Sequence, residues 1–534
     1  MHRREFLEVT GGLLAARSAR AAEGRIEVFI EEPIATISPD LHGHFTEHIG
    51  GVIYDGIWVG EGSKIPNIGG IRTALVEAMR RIKPPVVRWP GGCFADSYDW
   101  RDGIGPRAQR PRRANFWIND RFMVKAPDGP QKYEPNWFGT NEFLRFCRLT
   151  GAQPYLAANL RSLPPRDFYQ WVEYCNAPAG LSSLADLRAA YGDREPYGVR
   201  FWGVGNESWG CGGEFAPDEY AVEYRRYTAW VPEFGLKLAL IGSGPDGGNL
   251  DWTRRFFAKL TEKGKGALGS MYGWALHYYC GTSGAGQAID FTTDDWYSLL
   301  AKATRMESLI TEHWSAMGEI DSEHRVKLVV DEWGAWHRAG TEVHPAYLFG
   351  QTPTMRDALI SALTLDTFHR HADKVAMSNA AQLINNLHCL FLAREDQFIV
   401  TPNYHVFAMY AAHQRAQALR TLFAGPAHSG REKNDRWNVA GLSGSASLQG
   451  KTLVLTAVNT DAAQPLDVEI VLRGGVARAA TVSTLAHPDI HAHNSFAAPD
   501  TVAMRTAAIE ERGSAFTYRF PPASVTKLTV ELGS

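Results

Sequence analysis

Eight short apolar runs, each followed by a longer stretch with helical spacing, succeed one another from Leu41 to beyond Val375. They begin "LHGHFTEHIG" at Leu41, "PPVVRWPGG" at Pro84, "QPYLAANL" at Gln153 and "VRFWGVGNE" at Val199. The series continues with "LKLALIGSG" at Leu236, "YGWALHYY" at Tyr272, "VKLVVDEWG" at Val326 and "VAMSNAAQLI" at Val375. Amphipathic segments such as "GIRTALVEAMRRIK" and "TNEFLRFCRLTG" lie between them. Strands that are continuously apolar and alternate with helices are those of a parallel sheet covered on both faces. Eight such units in a row predict a closed (β/α)8 TIM barrel of the α/β class, with an open doubly wound sheet as the alternative.

Past residue 400 the rhythm changes. "TLVLTAVNT", "PLDVEIVLRG", "FTYRF" and "VTKLTVEL" alternate with a period of two between turn residues, which predicts a C-terminal all-β sandwich over 401–534. An isolated alternating run near Ile26 has no barrel partner, so residues 23–40 are expected to join that β-domain, leaving 41–400 to the barrel. The first 22 residues carry a twin arginine, Arg3 and Arg4, a modest apolar stretch and the small-x-small run Ala19-Arg20-Ala21. They read as a twin-arginine export signal, and so as a periplasmic or secreted protein.

A net charge of −3 over 534 residues gives no electrostatic case for nucleic acid or an anionic membrane. All but one of the 16 tryptophans precede residue 400, the exception being Trp437. Most of them are expected in the barrel core, although indole faces also suit sugar stacking. The six cysteines are scattered without a CxxC pair and are expected to be mostly free thiols. His42, His44 and His48 are the densest histidine group and are read as packing residues, so no metal and no cofactor are expected.

The chemistry collects at the C-terminal ends of the predicted strands: Glu47, Arg88, Asn206 with Glu207, His277 with Tyr279, Glu332 and Gln382. That face of a barrel builds its active site. Glu207 ends the fourth run and Glu332 the seventh, so a closed barrel sets them across its mouth. Two carboxylates placed so can flank a glycosidic bond; ~5–5.5 Å between them implies retention of configuration and ~6.5–9.5 Å inversion. Asn206 can donate to the sugar hydroxyl beside the reacting carbon, which puts Glu207 next to the leaving group as acid and then base. Glu332 is then the nucleophile, and a tyrosine of "HYY" can hold it ionised.

At this point the chain resembles the α-L-arabinofuranosidases of glycoside hydrolase family 51. The matching segments are "HGHFTEHIGGVIYDGIW", "RWPGGCFADSYDWRDGIGP", "FGTNEF", "WVEYCN", "GVGNESWGCGG", "LHYY", "DEWGAWH", "AQLINNL" and "TPNYHVFAMY". The resemblance implies Glu207 as acid/base, Glu332 as nucleophile, a retaining mechanism, and Asn206 as the amide that reads the 2-hydroxyl. It further implies that Glu47, Arg88, Tyr279, Gln382 and Trp336 line the arabinofuranose pocket. His277 stays open between a substrate contact and a structural histidine. It implies a homo-oligomer, commonly a hexamer, acting on arabinose-containing polysaccharide or oligosaccharide. Two departures stand out: Cys93 where some members carry Asn, expected to lose or replace a sugar contact, and "NLRSLPPRD" after the third strand, expected to alter subsite shape. Another retaining glycosidase of the same clan, a β-xylosidase or endoglucanase, is the enzymatic alternative. A carbohydrate-binding protein on a dead barrel is the non-catalytic one.

Overall fold

The computed structural model describes residues 22–119, 132–280, 284–432, 435–510 and 512–533. Its centre is a closed eight-stranded barrel whose neighbours all pair in parallel. In chain order the strands are Gly43–Phe45, Val86–Trp89, Gln153–Ala158, Phe201–Val204, Ala239–Gly242, Met271–Tyr279, Lys327–Gly334 and Val375–Ala381. Seven lie within the apolar runs and the sixth starts one residue before its run, at Met271. Alternation sorts the side chains. Val86, Tyr155, Phe201, Ile241, Val329 and Met377 share a small core cluster, while Val87, Leu156, Trp202, Leu328 and Val330 join the large cluster that includes residues of the surrounding helices. Trp89, Trp100, Trp202, Trp274, Trp296 and Trp333 are fully buried, so the tryptophan richness is mainly barrel packing.

The barrel runs further than the expected boundary at residue 400. The helix Pro402–Tyr410 packs between the helices Thr73–Ile82 and Met355–Arg370 and belongs to the outer ring. The reason is periodic: a hairpin, Phe391–Arg394 with Gln397–Val400, intervenes between the eighth strand and its helix and delays the end of the last unit.

The main sheet of the β-domain is one hydrogen-bonded order of nine strands, with a separate hairpin, Ala427–Glu432 paired with Asp435–Ala440. Residues from strands near both ends of that order, Val482 and Phe516 among them, share one apolar cluster, so the sheet curls around a single core. The strand Gly24–Thr36 sits inside it, antiparallel to Gln417–Ala424 and parallel to Leu466–Arg473. Between barrel and sheet lies the helix Met355–Arg370, buried at every residue from Met355 to His369. A helix with no wet face must satisfy its polar groups internally. Asp366 does so by accepting from Ser445, Thr456 and Tyr410, and burial pushes its carboxyl up to about 6.

The three clustered histidines are structural. His42 meets His369 Nε2 at 3.1 Å, His44 packs against Phe407, and His48 pairs with Glu134 at 2.8 Å while accepting from Trp89 Nε1 at 3.0 Å. No described helix is long and apolar enough to cross a membrane.

Candidate active site

Glu332 reaches the barrel mouth because the seventh strand breaks its own alternation. Leu276 pairs with Val330, but the next residue, His277, pairs with Glu332, so Asp331 has no counterpart there. The ladder to the eighth strand shows the same irregularity, from Val330 to Trp333. Such a bulge re-aims side chains. Val330 and Trp333 both face the outer helices, and the two acids between them both contact groups inside the barrel. Asp331 lies beneath, accepting from Tyr155 Oη at 2.8 Å and from Asn379 Nδ2 at 2.8 Å.

Both oxygens of Glu332 are held. Oε1 accepts from Arg88 Nη1 at 2.8 Å and Oε2 from Tyr279 Oη at 2.7 Å, with His277 Nδ1 at 3.6 Å. Burial alone would push this carboxyl up, but the charges of His277 and Arg88 and the tyrosine hydroxyl outweigh it and hold the group below its ordinary range. Arg88 is itself buried over the Phe45 ring, 4.7 Å from its centroid. Its second arm donates to Asn206 Oδ1 at 2.5 Å. That bond occupies the amide oxygen and sets the Asn206 NH2 3.8 Å from Cys211 Sγ. Gly92 keeps this space open: a Cβ there would come to 3.0 Å from Glu332 Oε1 and 3.6 Å from Asn206 Nδ2.

Glu207 follows Asn206 in a tight turn. Gly205 and Glu207 have φ of 82° and 38°, and the amides of Gly210 and Gly212 close back on the Glu207 carbonyl at 2.8 and 3.1 Å. A left-handed glutamate is a strained conformation, costing on the order of 1–3 kcal/mol, of the kind that clusters at active sites. Its Oε1 accepts from His277 Nδ1 at 3.0 Å. One oxygen of Glu207, one of Glu332 and a ring nitrogen of His277 all lie within 4.8 Å of one another. His277 thus bridges the two acids. Burial lowers its pKa, but the charge of Glu332 and the bond to Glu207 more than offset that and raise it above the usual histidine value.

Glu47, close enough to feel the charges of Glu332 and Arg88, pairs with Gln382. Glu47 Oε1 accepts from the Phe94 amide at 3.0 Å and Oε2 from Gln382 Nε2 at 3.0 Å. Burial, with the Glu332 charge adding to it, pushes Glu47 up to about 8. A carboxyl raised in the fold binds more protons native than unfolded across that range, so its stability contribution is present at low pH and lost as pH rises towards 8. Glu47→Gln removes the ionisation. The melting temperature of the variant relative to the parent should therefore become more favourable between pH 5 and pH 8, by at least about 2 °C. Any loss of packing or hydrogen bonding that does not vary with pH cancels in this comparison. A difference that stays flat with pH would contradict the raised carboxyl. Trp336 stands edge-on to Tyr279, 5.8 Å between centroids, and against Phe349 at 4.9 Å.

Cys93 corrects the sequence reading. It is not a free thiol but is joined to Cys211 in a disulfide, its sulfur 3.8 Å from Glu207 Oε2; Cys147, Cys175, Cys280 and Cys389 are free and buried. The two partners are 118 residues apart and no spacing rule links them. Asp96 carries no sequence signal either. It is fully buried and accepts from the amides of Asn206, Leu160 and Arg161, tying together the loops after the second, third and fourth strands. Burial pushes it up to about 7.

Comparison with known proteins agrees with this geometry. Residues 78–249 match the model of the alpha-L-arabinofuranosidase 1 domain and residues 331–524 that of the alpha-L-arabinofuranosidase C-terminal domain. The intracellular exo-alpha-L-arabinofuranosidase of Bacteroides ovatus is 35% identical, over 93% of this chain and 92% of its own. The intracellular exo-alpha-(1->5)-L-arabinofuranosidase 1 of Bacillus subtilis is 27% identical, over 94% of this chain and 98% of its own. The crystal structure of the GH51 arabinofuranosidase from Xanthomonas axonopodis pv. citri superposes with a TM-score of 0.86 at 35% identity, covering 95% of this chain and all of that one. The export expectation is contradicted by the Bacteroides ovatus and Bacillus subtilis relatives, each aligned over more than nine-tenths of its own length and each named as intracellular. The twin-arginine stretch itself lies outside the described residues. A pair of glutamates at the rim ends of barrel units four and seven, two matching domain models and relatives spanning the whole architecture lead to one conclusion: the chain belongs to glycoside hydrolase family 51, the α-L-arabinofuranosidases.

Proposed function

We propose that the protein is a retaining, exo-acting α-L-arabinofuranosidase that removes terminal arabinofuranose from arabinoxylan, arabinan or their oligosaccharides. The observation that carries this reading is the approach of Glu207 and Glu332 oxygens within 4.8 Å across the barrel mouth. That separation suits a direct double displacement; an inverting enzyme sets its carboxyl groups ~6.5–9.5 Å apart to hold a water between them.

In the first step a Glu332 oxygen attacks the anomeric carbon. The glycosidic bond breaks, and the leaving oxygen takes the proton from Glu207. In the second, Glu207 takes a proton from water, the water oxygen attacks the same carbon, and the Glu332 carboxylate leaves. Arg88 and Tyr279 keep Glu332 ionised and aligned. The Asn206 amide, turned by Arg88, donates to the 2-hydroxyl as positive charge develops beside it. The buried Glu47–Gln382 pair and the Trp336 ring supply walls for one terminal furanose, which favours exo action over an open groove. Glu47 carries a proton near neutral pH, so it can donate to a sugar hydroxyl without setting a second full charge against Glu332.

Hydrolysis of a 4-nitrophenyl glycoside panel tests the substrate class. The α-L-arabinofuranoside should exceed the β-D-xyloside, β-D-glucoside and β-D-galactofuranoside in kcat/KM by at least about 10²-fold. Clear preference for a pyranoside would overturn the arabinofuranose assignment and leave only the two-carboxylate mechanism. Family membership further supports a homo-oligomer, and a hexamer by light scattering is the expected result.

A further inference from the structure

The disulfide lies against the acid/base. Cys211 Sγ is 3.5 Å and Cys93 Sγ 3.8 Å from Glu207 Oε2, and Cys211 Sγ is 3.8 Å from Asn206 Nδ2. Oε1 of Glu207 is already taken by the His277 N–H, so Oε2 is the oxygen free to carry the proton towards the leaving group. The sulfurs of a disulfide have no S–H, so the wall beside Oε2 offers no competing donor. The bridge also acts on the backbone. The loop after the second strand holds the Glu207 turn at both ends, through Asp96 to the Asn206 amide at 3.1 Å and through Cys93 to Cys211. The left-handed glutamate sits between these two anchors.

From this geometry we infer that the Cys93–Cys211 disulfide is a positioning clamp for Glu207, and that the oxidation state of the pair sets the enzyme's rate on poor leaving groups. The inference rests on Glu207 being the acid. Both cysteines are only half-buried, so a small dithiol can reach them. Its thiolate attacks one sulfur, the S–S bond breaks, and the second thiol of the reagent closes its own disulfide. Two electrons and two protons pass to the pair, leaving the reagent oxidised and Cys93 and Cys211 as thiols. One anchor of the turn is then lost, and two S–H donors appear beside Oε2.

The test compares kcat/KM on 4-nitrophenyl α-L-arabinofuranoside, a good leaving group, with that on methyl α-L-arabinofuranoside, a poor one, before and after dithiothreitol. Alkylation in denaturant reports the state: four thiols in the oxidised chain, six in the reduced one. Reduced enzyme should lose at least about tenfold on the methyl glycoside and far less on the nitrophenyl one, since misplaced general acids forfeit part of their ~10²–10⁴-fold contribution. Cys93→Ala/Cys211→Ala should show the same split without added dithiol and should not respond to it. The double variant carries the test if dithiothreitol leaves the pair oxidised, and reduction of the parent carries it if the variant fails to fold. Equal losses on both substrates, or none in enzyme with six titrated thiols, would overturn the clamp. Glu207→Ala run in parallel separates the two readings. A leaving-group split there but not on reduction defeats the clamp alone, whereas no split in either defeats the acid assignment beneath it.

Discussion

Glu332→Ala should lose on the order of 10⁴- to 10⁶-fold in kcat on every glycoside, the scale expected when a nucleophile is removed. The loss has a specific cause. Arg88 and Tyr279 exist around this carboxylate as an ionised acceptor, and removing it leaves the buried Arg88 with Asp331 as its remaining acidic partner. The alanine leaves a space at the anomeric carbon that a small anion can enter. Added azide should therefore restore turnover of 4-nitrophenyl α-L-arabinofuranoside, and the product should be the arabinosyl azide of inverted configuration. The azide attacks from the side that Glu332 vacated, and no second displacement follows. Undiminished hydrolysis by this variant would remove Glu332 from the role of nucleophile.

The second large effect is selective. Glu207→Ala should lose about 10²- to 10⁴-fold in kcat/KM on methyl or oligosaccharide substrates, whose leaving oxygen needs a proton, and less than about tenfold on the nitrophenyl glycoside, whose leaving group departs as an anion. Its kcat on the nitrophenyl substrate should still fall, because the second step lacks its base and the glycosyl-enzyme accumulates. Azide should relieve that step and give the azide of retained configuration, the opposite of the Glu332 variant. Equal loss of kcat/KM on both substrate classes would remove the acid role.

Much of this site was legible in the sequence because barrel strands bury both faces and end in loops on one rim. An apolar run that stops at Asn206-Glu207 or at Glu332 places those residues at the rim before any coordinate is known. Arg88, Tyr279 and Gln382 are legible as rim residues in the same way, and their roles come from resemblance alone. What escaped depends on geometry between distant segments. Simple alternation from Val330 would send Glu332 outward with it; only the bulge at Asp331 turns it to the mouth, and no residue type announces a bulge. Asp96 reads as one more loop acid until the amides of Asn206, Leu160 and Arg161 converge on it. Cys93 reads as a lone thiol in the sequence because its partner lies two barrel units away. The helix Met355–Arg370 shows no clear stripe because it is covered on every side, by the barrel and by the β-domain.

Stereochemistry tests the central claim, double displacement across Glu207 and Glu332, most directly. Proton NMR of the first methyl arabinofuranoside formed when the enzyme transfers arabinose from the nitrophenyl glycoside to methanol reads the configuration before any ring opening scrambles it. The close approach of the two carboxylates predicts methyl α-L-arabinofuranoside, with configuration retained. The β-anomer as the first product would mean a single displacement and would contradict the assignment of Glu332 as a covalent nucleophile.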